Sequence, residues 1–218
     1  ITGCHNSAIG YQALYCNTTG IQNVAIGHNA LRNGNASFNV AIGCNTLLDN
    51  TSGTRNTAIG LFNLCSNTTG SNNVALGACS LRCNTTGGCN VSIGHATMCQ
   101  YTGNNSIAIG CYAMSYATGG DFNLAIGSTS LQNNTTGGCN VALGTGALNN
   151  NTTGYNNSAL GNGSLSNNTT GNSNFAVGQS AMTGALSGSN NVGFGTYSLK
   201  SNWGGFDNFA VGYISLCS

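Results

Sequence analysis

Residues 123–131 read N-L-A-I-G-S-T-S-L, and residues 23–31 read N-V-A-I-G-H-N-A-L. This pattern returns along the whole chain of 218 residues, and each copy closes its apolar stretch on a glycine. These glycines are 17 residues apart except for two intervals of 16: Gly10, Gly27, Gly43, Gly60, Gly77, Gly94, Gly110, Gly127, Gly144, Gly161, Gly178, Gly195 and Gly212. Thirteen copies of one unit therefore fill the chain. Positions within a copy are numbered from this glycine, which is position 0.

Four columns of the repeat vary little. Position +4 is Leu or Met in every copy, position −1 is Ile, Leu, Val or Phe, position −2 is Ala in eleven copies and position −4 is Asn in twelve. Alternation over five residues is typical of a strand, and a unit this short buries its apolar side chains only by stacking on its neighbours. The sequence predicts an all-β protein: a parallel β-solenoid, or β-roll, of about thirteen 17-residue rungs.

The alternation also predicts which side chains face inward. Positions −3 and −1, such as Val24 and Ile26, are expected to form the core with the Leu or Met at +4. Ala at −2 and the glycine would then point outward as a ridge of small residues, suited either to close packing of a second chain or to a tight corner of a narrow solenoid. The Asn column predicts a ladder of side-chain amides, or a residue that tolerates a left-handed turn.

The domain organisation predicted from the repeat is one solenoid over residues 1–218, without separate domains or capping units. The segment is close to a whole number of rungs. We expect either a stretch of a longer fibre or subunits that stack end to end into a filament.

The recurring N-x-A-I-G-x-x-A/S-L, as in residues 23–31 and 123–131, resembles the head repeats of trimeric autotransporter adhesins and the similar repeats of phage and large-virus tail fibres. The resemblance implies a parallel β-roll, three chains packed side by side, and adhesion to a host surface or glycan. This chain departs from the adhesin heads in its N-T-T-G insertion and in its cysteines.

Composition excludes several classes of function. Charged residues make up 3 % of the chain: the cations are Arg32, Arg55, Arg82 and Lys200, and the anions are Asp49, Asp121 and Asp207. Four scattered cations make no nucleic-acid surface, and carboxylates about five rungs apart make no acid/base pair. No apolar run is long enough to insert into a membrane. We expect no enzyme activity and no catalytic, cofactor-binding or metal-binding residues.

Eleven cysteines suggest an oxidising, extracellular compartment. Cys65, Cys83 and Cys99 are 18 and 16 residues apart, hence neighbours on successive rungs, whereas Cys83 and Cys89 bracket one turn. These four are the candidate disulfide residues, because the distance between rungs suits a disulfide. The alternative is that they are buried thiols that act as small apolar side chains.

Seven N-T-T or N-T-S sequons begin at position +7 and are candidate N-glycosylation sites, although turn propensity alone also explains the motif. They are Asn17, Asn50, Asn67, Asn84, Asn134, Asn151 and Asn168.

The sequence thus predicts an extracellular structural or adhesive fibre protein, secreted, on a cell surface or on a virion. Its expected partners are its own copies, end to end or as a lateral trimer, and a host surface or glycan. The alternative function is an ice- or polysaccharide-binding β-solenoid, because an uncharged Thr/Asn ladder matches a repeating lattice.

Overall fold

A computed structural model describes residues 2–185 and 187–216, and it confirms the all-β class: strands and turns, with no helix, make up the described residues. The chain forms two compact units, Ile1–Asn105 and Ser106–Ser218. Both units consist of the same repeat. The expectation of a single solenoid over residues 1–218 stays a prediction.

Each copy of the repeat contributes one short strand. In the first unit these are β1 Ser7–Ile9, β2 Val24–Ile26, β3 Val40–Ile42, β4 Thr57–Leu61, β5 Val74–Ala78 and β6 Val91–Ile93. In the second unit they are β7 Ile107–Ile109, β8 Leu124–Ile126, β9 Val141–Leu143, β10 Ser158–Leu160, β11 Phe175–Val177, β12 Val192–Phe194 and β13 Phe209–Val211.

Within each unit the strands pair in parallel and in chain order. The register sets every residue opposite its equivalent in the next copy, so Ala142 pairs with Ala159, and Ala25 pairs with Ala41 across a 16-residue interval. The pairing continues through the turns, where the Leu131 N–H donates to the Ala147 carbonyl at 3.0 Å. The predicted parallel β-solenoid of stacked 17-residue rungs is confirmed.

The chain reverses after each glycine through consecutive tight turns. In one copy the Ala147 N–H donates to Gly144 and the Asn149 N–H donates to Gly146, at 3.2 and 3.4 Å. Leu148 is the third residue of the second turn, with φ +51°, and its side chain is fully buried. A turn of this type ordinarily has Gly or Asn there, because a left-handed residue with a Cβ costs about 1–2 kcal/mol. Full burial of a Leu side chain gains about 1.5–3 kcal/mol, which offsets that cost.

The core differs from the prediction. Ala at −2 and Leu at +4 point inward, as Ala142 and Leu148 show, whereas Val24 and Ile26 are only half-buried and point outward. The prediction that positions −3 and −1 form the core, with an outward ridge of Ala, is wrong. The reason is the narrow interior: a Cβ added at Gly193, which replaces the usual Ala, would lie 2.8 Å from Met182 Cγ.

The Asn side chains at −4 form a continuous ladder within each unit, as predicted. Asn140 is fully buried; its N–H donates to Asn123 Oδ1 at 3.0 Å and its own Oδ1 accepts from the Asn157 N–H at 2.9 Å. The residue with positive φ next to this column is the one before it, at −5, as at Cys139 and Asn156. The Asn column is therefore a hydrogen-bonding device and not a turn residue.

A second ladder lies at position +7. Asn151 Nδ2 donates to Asn134 Oδ1 at 2.8 Å and to the Gly154 carbonyl at 2.9 Å, and that carbonyl also accepts from Asn140 Nδ2. The glycine carbonyl of each N-T-T-G turn thus joins the two ladders. Where the next rung has Ala185 in place of Asn, the Oδ1 of Asn168 is buried without a hydrogen-bond partner.

Replacing Leu148 tests the balance between strain and burial. Leu148→Ala should lower the free energy of unfolding by about 2–5 kcal/mol, because it leaves a cavity in the core. The Ala Cβ is as strained at positive φ as the Leu Cβ, so the variant gains nothing in return. Leu148→Gly should be no less stable than Leu148→Ala, since glycine has no strain there. Urea denaturation of both variants measures the difference. Ala142→Gly, at a buried strand position, is the control and should destabilise; a Leu148→Gly variant clearly less stable than Leu148→Ala would contradict the left-handed turn.

Replacing a ladder amide by a carboxyl should make stability depend on pH. In Asn140→Asp the buried carboxyl has a raised pKa in the folded state, because burial disfavours the charged form. The variant should be most stable below the ordinary carboxyl pKa of about 3.9 and lose stability as pH rises through the raised folded value. Thermal melts at acidic and neutral pH, with the exposed Asn167→Asp as control, measure this. Equal pH dependence of the two variants would contradict a buried ladder.

Candidate functional site: the apolar strand face

The outward side chains at positions −3 and −1 form two columns along the strands of each unit, and we call this surface the strand face. In the first unit it consists of Ser7, Ile9, Val24, Ile26, Val40, Ile42, Thr57, Ile59, Val74, Leu76, Val91 and Ile93. In the second unit it consists of Ile107, Ile109, Leu124, Ile126, Val141, Leu143, Ser158, Leu160, Phe175, Val177, Val192, Phe194, Phe209 and Val211.

The strand face is apolar, regular and open to solvent. Ile59 and Ile126, in the interiors of the two units, remain 40 % and 39 % exposed, although each has a neighbour on both sides along its column. No strand of the described residues contains a charged side chain. The parallel register repeats each side chain at about 4.8 Å. Contiguous apolar surface of this kind is typical of an interaction site.

Three of the four cations lie outside the strands and beside aromatic rings. The guanidinium carbons of Arg55 and Arg82 are 5.4 and 5.6 Å from the ring centroids of Phe38 and Phe62, and Lys200 Nζ is 4.8 Å from that of Tyr197. Such contacts hold a long cationic side chain against an apolar ring. They leave the strand face without charge.

The sequons are at the N-T-T-G turns, but their asparagines point inward. The Asn67 side chain is fully buried, and its Nδ2 donates to Asn50 Oδ1 at 2.8 Å and to the Gly70 carbonyl at 2.9 Å. Asn17, in the first copy, is half-buried. A glycan on any of the buried Nδ2 atoms would remove that nitrogen from its ladder. Glycosylation of these sequons stays a prediction, and at a buried asparagine it would break the hydrogen bonds of the ladder.

The threonines of the same turns bind the neighbouring rung. Thr68 Oγ1 donates to the Thr85 carbonyl and Thr152 Oγ1 to the Thr169 carbonyl, both at 2.9 Å. The first hydroxyl of the Thr pair is therefore used within the stack, and the second, as in Thr153, is exposed.

The structure brings three of the four candidate disulfide residues together. Burial, with the Asp49 carboxylate next in importance, raises the pKa of the Cys65 thiol; burial, with Cys83 next, raises the pKa of the Cys99 thiol. Cys89 lies at the other end of its turn, with its N–H on the Ser71 carbonyl at 3.0 Å. Cys217, which the spacing did not single out, lies outside the described residues.

Within residues 2–185 and 187–216, no three His, Cys, Asp or Glu side chains cluster as metal ligands would. The same residues include no helix with the length and hydropathy needed to span a bilayer.

No protein-family model, curated protein or solved structure matches this chain. The parallel β-solenoid agrees with the resemblance to repeat fibre proteins, and the agreement extends to the fold alone. The strand face was missed in the sequence because its residues were assigned to the core. The signal that could have found it is the Ala at −2. The interior of each rung is narrow, so the small Ala fits inside it, whereas Val and Ile at −3 and −1 are too large and must point outward.

The raised pKa of Cys65 predicts slow alkylation. At neutral pH a smaller fraction of this thiol is ionised than in a thiol of ordinary pKa, and only the thiolate reacts. Iodoacetamide labelling followed by peptide mass spectrometry should show Cys65 modified more slowly than the exposed Cys139, with its rate still rising at pH values above the ordinary cysteine pKa of about 8.5. Labelling of Cys65 as fast as Cys139 at neutral pH would contradict its burial.

Proposed function

We propose that this protein is a structural element of an extracellular fibre and that it assembles by lateral association of its own copies through the strand face. The observation that carries the proposal is the exposure of two uncharged columns of Val, Ile, Leu and Phe side chains in each unit. Burying apolar surface gains about 25 cal/mol per Å², so a column repeated over successive rungs gains with every rung.

A second copy is the occupant that fits this face best. Side chains on the strand face recur at the rung spacing of about 4.8 Å, and a partner that packs against them along their length needs the same period. Another copy of the chain has that period and the same lack of charge. A surface that packs on its own copy gives a closed two-fold dimer, and a lateral trimer forms when the two columns of each face contact different neighbours.

The fibre role follows from the repeat itself. A chain of stacked rungs extends by adding copies, each of which buries its polar groups against the last. We propose that the turns, which carry Asn, Thr and Ser, supply the contacts to a host surface or glycan. Cysteine content supports an oxidising, extracellular location.

Ice or polysaccharide binding gains less support. A lattice-matching surface needs a row of free hydroxyls, and the first Thr of each turn already donates its hydroxyl to the next rung. The second threonine of the turn is the one that stays exposed, as Thr69 does in the first unit and Thr153 in the second.

Charges on the strand face should abolish association. The double variant Ile59→Lys, Ile126→Lys places one cation on the face of each unit, at a strand with a neighbour on both sides. A buried unpaired charge is strongly unfavourable at an interface. Light scattering coupled to size-exclusion chromatography should show an oligomer for the natural chain and a monomer for the variant.

The matched control adds the same charge at the turns. Thr69→Lys, Thr153→Lys should associate like the natural chain, and circular dichroism of all three proteins checks that they are folded. A natural chain that is monomeric at every concentration, or a folded strand-face variant that associates like the control, would refute the proposal.

A further inference from the structure

Two cysteines of the first unit lie against each other on adjacent rungs. The Cys83 N–H donates to the Cys99 carbonyl at 2.9 Å, so the two backbones are in direct contact. The two side chains also hydrogen-bond to each other through their thiols.

The same geometry suits a covalent bond. The backbone hydrogen bond sets the two residues on neighbouring rungs, which are about 4.8 Å apart, with Cys83 at +6 and Cys99 at +5, one position out of register. A disulfide spans Cα separations of about 4.4–6.8 Å, so it tolerates such an offset. The Cys83 side chain is exposed and that of Cys99 is half-buried, so a reagent in solution reaches the first directly.

We propose that Cys83 and Cys99 form a disulfide that fastens two successive rungs of the solenoid. This inference is independent of lateral association, because the two residues lie at the turn that follows each strand and not on the strand face.

Formation of the bond needs an oxidant, which we take to be a small-molecule disulfide such as glutathione disulfide. The Cys83 thiolate attacks one sulfur of the oxidant, breaks its S–S bond and releases one glutathione thiolate. The Cys99 thiolate then attacks the Cys83 sulfur of the mixed disulfide and releases the second glutathione. The protein loses two protons and two electrons, and the oxidant is reduced to two glutathione molecules.

Two other thiols are close enough to compete. Cys79 interacts electrostatically with Cys99, and Cys65 with Cys83. Neither of them contacts its neighbour through the backbone: the Cys79 N–H donates to the Leu61 carbonyl, and the Cys65 carbonyl accepts from the Asp49 N–H. Cys83 and Cys99 are the pair that has both a backbone and a side-chain hydrogen bond. The geometry therefore selects this pair over the others.

The bond would stabilise the stack. It closes a loop of one rung, and a cross-link removes conformational entropy from the unfolded chain. It also joins two rungs whose contacts are otherwise noncovalent, so the rungs could not separate without reduction.

The test starts from the reduced natural chain. Incubation with glutathione disulfide, then blocking of the remaining thiols, digestion with chymotrypsin and tandem mass spectrometry, should yield a cross-linked peptide two hydrogens lighter than its reduced parts. Because Cys83 and Cys89 stay on one peptide, residues 82–98, its fragment ions should place the bond on Cys83 and the blocking group on Cys89. The melting temperature should rise on oxidation and return when dithiothreitol is added.

Variants assign the effect to the pair. Cys83→Ser and Cys99→Ser should each abolish the oxidation-dependent rise in melting temperature, whereas Cys89→Ser and Cys139→Ser should keep it. Peptide mapping of the natural chain decides the question even if a variant fails to fold. Stable glutathione adducts at Cys83 without a cross-link, or a cross-link of either residue to Cys65, Cys79 or Cys89, would overturn the proposal.

Discussion

Most rungs of this chain satisfy their buried polar groups with hydrogen bonds to the next rung, through the Asn residues at −4 and, where they occur, at +7. Asn140 shows the arrangement: its backbone and its amide bond to Asn123, Asn157 and the Gly154 carbonyl, all one rung away or less. An unpaired buried N–H or C=O costs about 1–3 kcal/mol, so the residue spacing between rungs is tightly constrained. Both 16-residue intervals occur in copies whose +7 residue is not Asn but Gly34 or Tyr101. A shorter rung is tolerated where the second ladder is interrupted.

The narrow interior explains both the strained turn and the exposed strand face. Only a small residue fits between the strand and the opposite turn, and the Leu or Met at +4, which has positive φ in every copy, is buried in all of them except the last, where Leu216 is exposed. The larger Val and Ile side chains of the strand are left on the outside. One constraint thus leads from the size of the rung to an apolar surface, and that surface is the basis of the proposed assembly with other copies.

The period, the parallel register and the Asn ladder at −4 could be predicted from the sequence, because each depends only on which residues recur. The inward face could not: alternation shows that Val24 and Ile26 share a side of the strand, not which side is buried. That depends on the distance to the opposite turn, and the small Ala at −2 is the one sequence feature that reports it. Positive φ at Leu148 could not be predicted either, because Leu disfavours this conformation and adopts it only since burial of its side chain offsets the strain. The burial of Asn67 was missed because its N-T-T motif was interpreted as an exposed glycosylation site. The recurrence of Asn at +7 could have indicated a second ladder, as the recurrence of Asn at −4 indicated the first. Neighbouring thiols at Cys83 and Cys99 followed from their spacing alone.

Nuclear Overhauser effects between methyl groups test the stacked, inside-out rung most directly. In protein labelled at Leu and Ala methyls, Leu148 should show cross-peaks to the Leu131 methyls, one copy away, and to the Ala159 methyl of the next strand. Leu148 cross-peaks to the methyls of Leu143 and Leu160, with none to Leu131 or Ala159, would mean that the bulky strand residues form the core, and would contradict a rung whose interior is Ala and Leu.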